Sequence, residues 1–198
     1  MMTKRILSVA AAAILLALGL CTAFAEEALP PYVYPYAEED PMMAAIMEYL
    51  TSADLGYAPQ PGGVLVPAPI LLKTELNGDE TAATVYGNFW VFTYVLDGNV
   101  LKMTSGGENP GVLQLTRQGS AWNVVTADFA KEGSYREDIE RFCGGDETLV
   151  QEYRTAGDGT DGYLPQYRRS FLIGYLESCG LDIVAYQDFG EEPVSLTD

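Results

Sequence analysis

Between residues 64 and 129 the chain is a succession of apolar, β-branched runs cut at short intervals by turn residues, and this pattern limits its fold more than any other feature. Val64 to Leu76 is followed by Asn77-Gly78, Thr81 to Leu96 by Asp97-Gly98, and Val100 to Ser105 by Gly106-Gly107-Glu108-Asn109-Pro110-Gly111. Val112 to Arg117 and Ala121 to Phe129 flank Gln118-Gly119-Ser120. Asn-Gly and Asp-Gly supply the positive φ of tight hairpins, so consecutive strands are expected to pair antiparallel in a bent meander of four or five. Pro67 and Pro69 cannot donate to a ladder, which puts the start of the first strand at an edge or bulge.

Side chains alternate along a strand, so in the longest run Val85, Phe89, Val91 and Val95 face one way while Tyr86, Asn88, Trp90, Phe92 and Tyr94 face the other. Both faces are apolar and both need cover. One is expected on an N-terminal helix; the other lies beneath C-terminal helices or lines a pocket. Asp40 caps that first helix, Pro41 begins it, and Met43, Ile46, Met47 and Leu50 recur at helical spacing before a stop near Gly56.

After residue 130 the pattern turns helical. Ser134 and Glu137 have capping-box spacing and open a helix through Phe142; Asp146 caps a second over Glu147 to Thr155. A third starts near Pro165 with Tyr167, Phe171, Tyr175 and Cys179 on one stripe, and Leu181 to Tyr186 reads as a short strand or tail. The fold class is α+β, a single domain over 41–198, preceded by a Pro/Tyr-rich extended arm over 26–40. Tyr32, Tyr34 and Tyr36 of the arm are a candidate ligand stripe, or else they cover the folded body or stay mobile as termini do.

The first 25 residues have the layout of a secretory signal peptide. Lys4 and Arg5 precede an apolar run from Ile6 to Leu20, and Ala23-Phe24-Ala25 is an A-x-A cleavage pattern before Glu26. The run is short for a membrane span. Leu18-Gly19-Leu20-Cys21 approximates a lipobox, with large Leu20 where a small residue belongs. The expectation is a secreted or extracytoplasmic protein with no membrane span after cleavage.

Two of the 11 basic residues and none of the 28 acidic ones lie in the leader, so beyond it nine basic residues face 28 acidic ones, a net charge of −19. Such a surface repels phosphate backbones, and nucleic acid is not an expected partner. Cys143 and Cys179, each just before a glycine, are either bridged across two helix ends, which stabilises by ~3–4 kcal/mol in the chain-entropy model, or are free core thiols.

There is no histidine. That removes Ser-His and Cys-His nucleophile pairs and H-E-x-x-H zinc sites, and neither a phosphate-binding glycine loop nor Cys-x-x-Cys is present, so no cofactor or metal is expected. What remains is carboxylate chemistry, in which Glu75 or Asp128 would act with Tyr86 and Tyr94 as in a small lyase or isomerase. Asn88 among aromatics suits ligand orientation or a hydrogen-bonded core position. Asp158 and Asp161 offer oxygen ligands for Ca²⁺ without EF-hand spacing, or form a solvated turn. Weak ligand-binding candidates are therefore Tyr86, Asn88, Trp90, Tyr94 and Glu75.

A helix followed by a bent antiparallel meander over residues 40–130 resembles the cystatin-like and nuclear-transport-factor-like cone architecture, in element order and without a diagnostic motif. Gly87-Asn88-Phe89-Trp90-Val91, Ser105-Gly106-Gly107-Glu108-Asn109-Pro110-Gly111 and Tyr186-Gln187-Asp188-Phe189-Gly190 are similar to an uncharacterised extracytoplasmic module of gut Firmicutes. That module resembles extracellular portions of β-lactam-sensor-type membrane metallopeptidases, whose zinc motif this chain lacks. The resemblance implies a non-catalytic sensing, binding or accessory role in the bacterial cell envelope, with a small ligand, peptide or envelope protein as partner. An inhibitor-like module acting through Gln60-Pro61-Gly62-Gly63 is a further alternative.

Overall fold

The computed structural model describes residues 28–158 and 163–197. The leader over 1–25 with Cys21, and Asp161 of the acidic loop, lie outside the described residues. The fold is α+β, with four helices and a mixed seven-stranded sheet among the described residues. Helix α1 (Pro41–Ser52) is followed by β1 (Val64–Leu76), β2 (Ala82–Asp97), β3 (Val100–Gly107), β4 (Pro110–Gln118) and β5 (Ala121–Phe129). Helices α2 (Tyr135–Cys143), α3 (Glu147–Ala156) and α4 (Leu164–Cys179) come next, then β6 (Ala185–Gln187) and β7 (Val194–Ser195).

The expected meander is corrected at one place. β3 and β4 do not pair with each other; both pair antiparallel with β2, end to end along the same edge, Val91 opposite Gly107 and Asn88 opposite Pro110. The register runs through without an offset, so the Gly-Gly-Glu-Asn-Pro-Gly segment carries the chain straight on. Its glycines are present for close approach. A Cβ on Gly106 would sit 2.5 Å from the Phe92 ring, on Gly107 2.0 Å from the Tyr57 hydroxyl, and on Gly111 2.4 Å from the Asp128 carbonyl. Asn109 bridges the junction, donating Nδ2 to the Phe89 carbonyl at 2.9 Å.

The turns divide by chemistry. Gly98 (φ 64°) and Gly119 (φ 65°) each occupy the first position of a two-residue connection, as a II′-type hairpin requires. Asn77-Gly78 does not act this way. The Asn77 side chain accepts from the Thr81 and Ala82 N–H groups, and the positive φ of this longer turn falls on Glu80. β6 adds to β3 in parallel, which makes the sheet mixed.

β1 lies on the opposite edge of β2, and β2 is its one partner among the described residues, consistent with prolines at 67 and 69. One face of β2 (Val85, Phe89, Val91) joins Leu113, Leu115 and Trp122 against Ala45, Ile46 and Leu50 of α1. The other face carries Phe92 and Tyr94 into a larger cluster with Leu172, Tyr175 and Leu176 of α4. A smaller cluster of Ile139, Cys143, Leu149 and Tyr153 covers the Tyr86 end. Asp40 caps α1 by accepting from the Met43 N–H at 2.9 Å, and Asp146 caps α3.

Two further expectations fail, and one open alternative is decided. The Ser134–Glu137 capping box is not made, because the Ser134 hydroxyl donates instead to Asp138 at 2.7 Å. On α4 the buried stripe is Leu164, Arg168, Leu172, Tyr175 and Leu176, while Tyr167 is exposed and Phe171 and Cys179 are half-buried. An ion-paired arginine takes the interior position that hydropathy alone assigns to Tyr167. Of the two alternatives for Cys143 and Cys179 the structure takes the second: they are free thiols, packed against different clusters.

The described part of the arm is docked. Tyr32 stacks on Tyr175 with centroids 5.8 Å apart, the Tyr175 hydroxyl donates to the Pro30 carbonyl at 2.7 Å, and Pro35 crosses α4 at Gly174. Leu29 N–H donates to Gly62 at 2.9 Å, tying the Gln60–Gly63 loop to the arm. No helix among the described residues is long and apolar enough to cross a membrane.

Candidate functional site

β2 presents the candidate residues in sequence along one face, and their environments separate them. Tyr94 is fully buried; its hydroxyl accepts from Arg168 Nε at 2.6 Å, and burial raises its pKa well above the ordinary tyrosine value despite that cation. Arg168 is 5 % exposed and forms a two-point ion pair with Asp188, Nη1 to Oδ2 at 2.7 Å and Nη2 to Oδ1. Its guanidinium lies 4.1 Å from the Phe92 ring centroid and 4.4 Å from that of Tyr186. A buried charge with a carboxylate, a hydroxyl and two aromatic faces is compensated on every side.

Six residues back along the strand, Asn88 is completely buried and donates Nδ2 to Glu108 at 2.7 Å, while its Oδ1 has no partner. Glu108 also hydrogen-bonds Tyr135, whose pKa is pushed up to about 12 by burial and then by that carboxylate. Trp90 closes the gap between the two sites by donating Nε1 to the Ala156 carbonyl at 3.0 Å. Trp90 stacks parallel to Phe92 and therefore serves the packing between sheet and helices.

Tyr86 and Glu75 form the third group. The Tyr86 hydroxyl reaches Glu75 at 3.5 Å, but Glu75 is exposed and ion-paired to Lys73 at 2.8 Å. Asp128 is engaged by Arg141 at 2.6 Å on the surface. Tyr86 and Tyr94 are eight residues apart, about 26 Å of strand contour. The structure thus brings Tyr86 to Glu75 and Asn88 to Glu108, and does not bring Tyr86 and Tyr94 to one carboxylate.

Two surface features are less expected. Phe189 is 92 % exposed at the tip of a turn in which Gly190 has φ 77°. Asp188, held by Arg168, anchors one side of the turn, and Gln187 Nε2 donates to the Glu191 carbonyl at 2.7 Å on the other. Separately, an open groove of about 260 Å³ runs between the arm and α1, lined by Tyr32, Tyr34, Met47, Glu48 and neighbouring residues.

Comparison with protein-family models, with curated proteins and with solved structures finds no match to any of them. The residues that sequence reasoning missed are Glu108, Arg168 and Phe189. Glu108 sat in a segment read as a loop, and Arg168 lies one position beyond the aromatic stripe. Phe189 carried a signal: an aromatic residue in the acidic, glycine-containing run Asp188-Phe189-Gly190-Glu191-Glu192.

Proposed function

We propose that this chain is an exported, non-catalytic binding module of the bacterial cell envelope, with a sensing or accessory role, and that it engages its partner through the turn carrying Phe189. The observation behind the reading is the pairing of a nearly fully exposed aromatic side chain with an anchored base, the clamp between buried Arg168 and half-buried Asp188. An exposed phenylalanine gains by burial in a partner's pocket, and a turn ordered in advance loses little entropy on docking. Export is supported by the Lys4-Arg5 leader with its apolar run and A-x-A pattern. The helix-then-sheet order adds support for the cone resemblance.

The test is a photo-crosslinking amino acid placed at position 189, and at exposed Val125 as control, with the protein expressed in its host envelope. A discrete adduct from position 189, absent from position 125 and outcompeted by the unlabelled wild-type chain but not by Phe189→Ala, is the expected result. Identical adducts from both positions, or none from 189, would overturn the reading.

A further inference from the structure

Helices α2 and α3 are joined by Gly144-Gly145-Asp146 alone, so they fold back on one another as a hairpin. Both connecting glycines take positive φ, 57° and 94°. The first turn of α2 lies beside the last turn of α3, and a cleft of about 290 Å³ opens between them. Buried Ile139 and Tyr153 form its floor, and half-buried Val150 and exposed Tyr135 form its walls. Arg136 and Arg154 stand on the rim. The volume lies just below the ~300–1,000 Å³ of sites that enclose a whole small ligand, and it suits a single aromatic side chain.

The rim is cationic in a strongly acidic chain. Arg136 pairs with Glu140 at 3.0 Å, but exposed Arg154 has no ion-pair partner among the described residues, although the sequence holds 28 acidic residues against 11 basic ones. An open cleft with one unpaired cation is by itself only a solvated surface. The second observation is a group on the same chain with the matching shape and the opposite charge. Phe189 is 92 % exposed on a turn whose base is held by Arg168, and it is followed by exposed Glu191 and Glu192, neither of which has an ion-pair partner among the described residues. That exposure also means that Phe189 does not occupy the cleft of its own chain.

We propose that the partner of the Phe189 turn is a second copy of this chain, with the phenyl ring seated in the α2–α3 cleft and Glu191 or Glu192 paired with Arg154. The inference rests on the reading of that turn as a contact surface and names what it contacts. Turn and cleft are different surfaces, so the contact is heterologous: each chain offers one of each, and copies join head to tail. Burial of the ring supplies the anchor, and the ion pair sets the register. The net charge of −17 opposes association at long range. At ~0.15 M salt the screening length is ~8 Å, so whole-chain repulsion is damped while charges in contact still attract.

The test is sedimentation velocity and NMR of the purified chain at ~0.15 M salt, over a series from micromolar to millimolar concentration. Wild type is expected to associate as concentration rises, with resonances of Phe189 and Glu191 shifting together with those of Val150 and Arg154. Phe189→Ala should weaken association about tenfold, as loss of an anchoring aromatic does. Arg154→Glu, which turns an exposed attraction into a repulsion, should weaken it about fivefold, and Val125→Ala on another surface should leave it unchanged. Mixing separates a docking defect from misfolding. Phe189→Ala keeps its cleft and Arg154→Glu keeps its phenylalanine, so an equimolar mixture should associate more strongly than either variant alone. A wild type that stays monomeric across the series, no gain on mixing, or unchanged association in Arg154→Glu overturns the proposal. The photo-crosslinker at position 189 tells this failure from that of the reading beneath it. An adduct of twice the chain's mass, mapped to α2 or α3, supports the proposal; an adduct to a different envelope protein overturns it and leaves the turn as a contact surface; no adduct overturns both.

Discussion

Replacing Arg168 by methionine tests the internal clamp most directly, because the aliphatic stem is kept and the charge is removed. The substitution strips Tyr94 of its hydrogen bond in a site with no access to water, at ~1–3 kcal/mol for an orphaned buried hydroxyl. It also breaks the two-point contact to Asp188. Removing one partner of a fully buried pair costs ~3–5 kcal/mol, but the Asp188 side chain is 35 % exposed and recovers hydration, which reduces this share to ~1–2 kcal/mol. Together the loss is about 3 kcal/mol. For a domain of this length that lowers the melting temperature by ~6–12 °C. Asp188→Asn alone should cost less, since Tyr94 keeps its donor, and the double variant should be milder than the two single effects added. Urea unfolding followed by Trp90 and Trp122 fluorescence reads all three, and amide hydrogen exchange at 187–191 reads the turn. A loss under 1 kcal/mol in Arg168→Met, or strictly additive effects in the double variant, would refute the clamp.

Other outcomes follow from the same structure. Gly111→Ala should destabilise by ~2–3 kcal/mol, since its Cβ would meet backbone atoms of Asp128 and Phe129, whereas Gly78→Ala, with nothing within 4 Å, should be near neutral in the same urea assay. Asn88→Asp puts a second carboxylate beside Glu108, so the variant should be markedly less stable than wild type at pH 7 and recover as pH falls and one carboxyl takes a proton; a pH-independent difference counts against that contact. Asp138 is held down at about 2, first by the Ser134 hydroxyl and then by Arg141. Its folded value lies below its unfolded one, so its contribution to stability is present above the ordinary carboxylate range and is lost as pH falls toward 2; ¹³C titration of Ser134→Ala should show it returning toward the ordinary value. In the native chain, a thiol reagent should modify half-buried Cys179 before Cys143, which is buried and whose pKa burial raises, and nonreducing mass mapping should find no link between them.

Local chemistry fixed a large part of this protein in advance. The Asp40-Pro41 start of α1, the bounds of β1 and β5, the Asp97-Gly98 hairpin, the Asp146 cap of α3 and the two apolar faces of β2 all follow from hydrogen-bonding groups and periodicities contained within a few residues. What tertiary structure alone decided is which distant groups meet. Gly106, Gly107 and Gly111 read as a turn because glycine relieves positive φ, yet here it relieves crowding from Phe92, Tyr57 and Asp128, whose approach no local window contains. Arg168 reads as surface until Asp188, Tyr94, Phe92 and Tyr186 are brought round it from two other strands and a turn. The same holds for the candidate surface: Phe189 has its anchored base because Arg168, 20 residues earlier in the chain, holds Asp188. Backbone propensity acts between neighbours, whereas desolvation and charge compensation depend on everything that packs nearby.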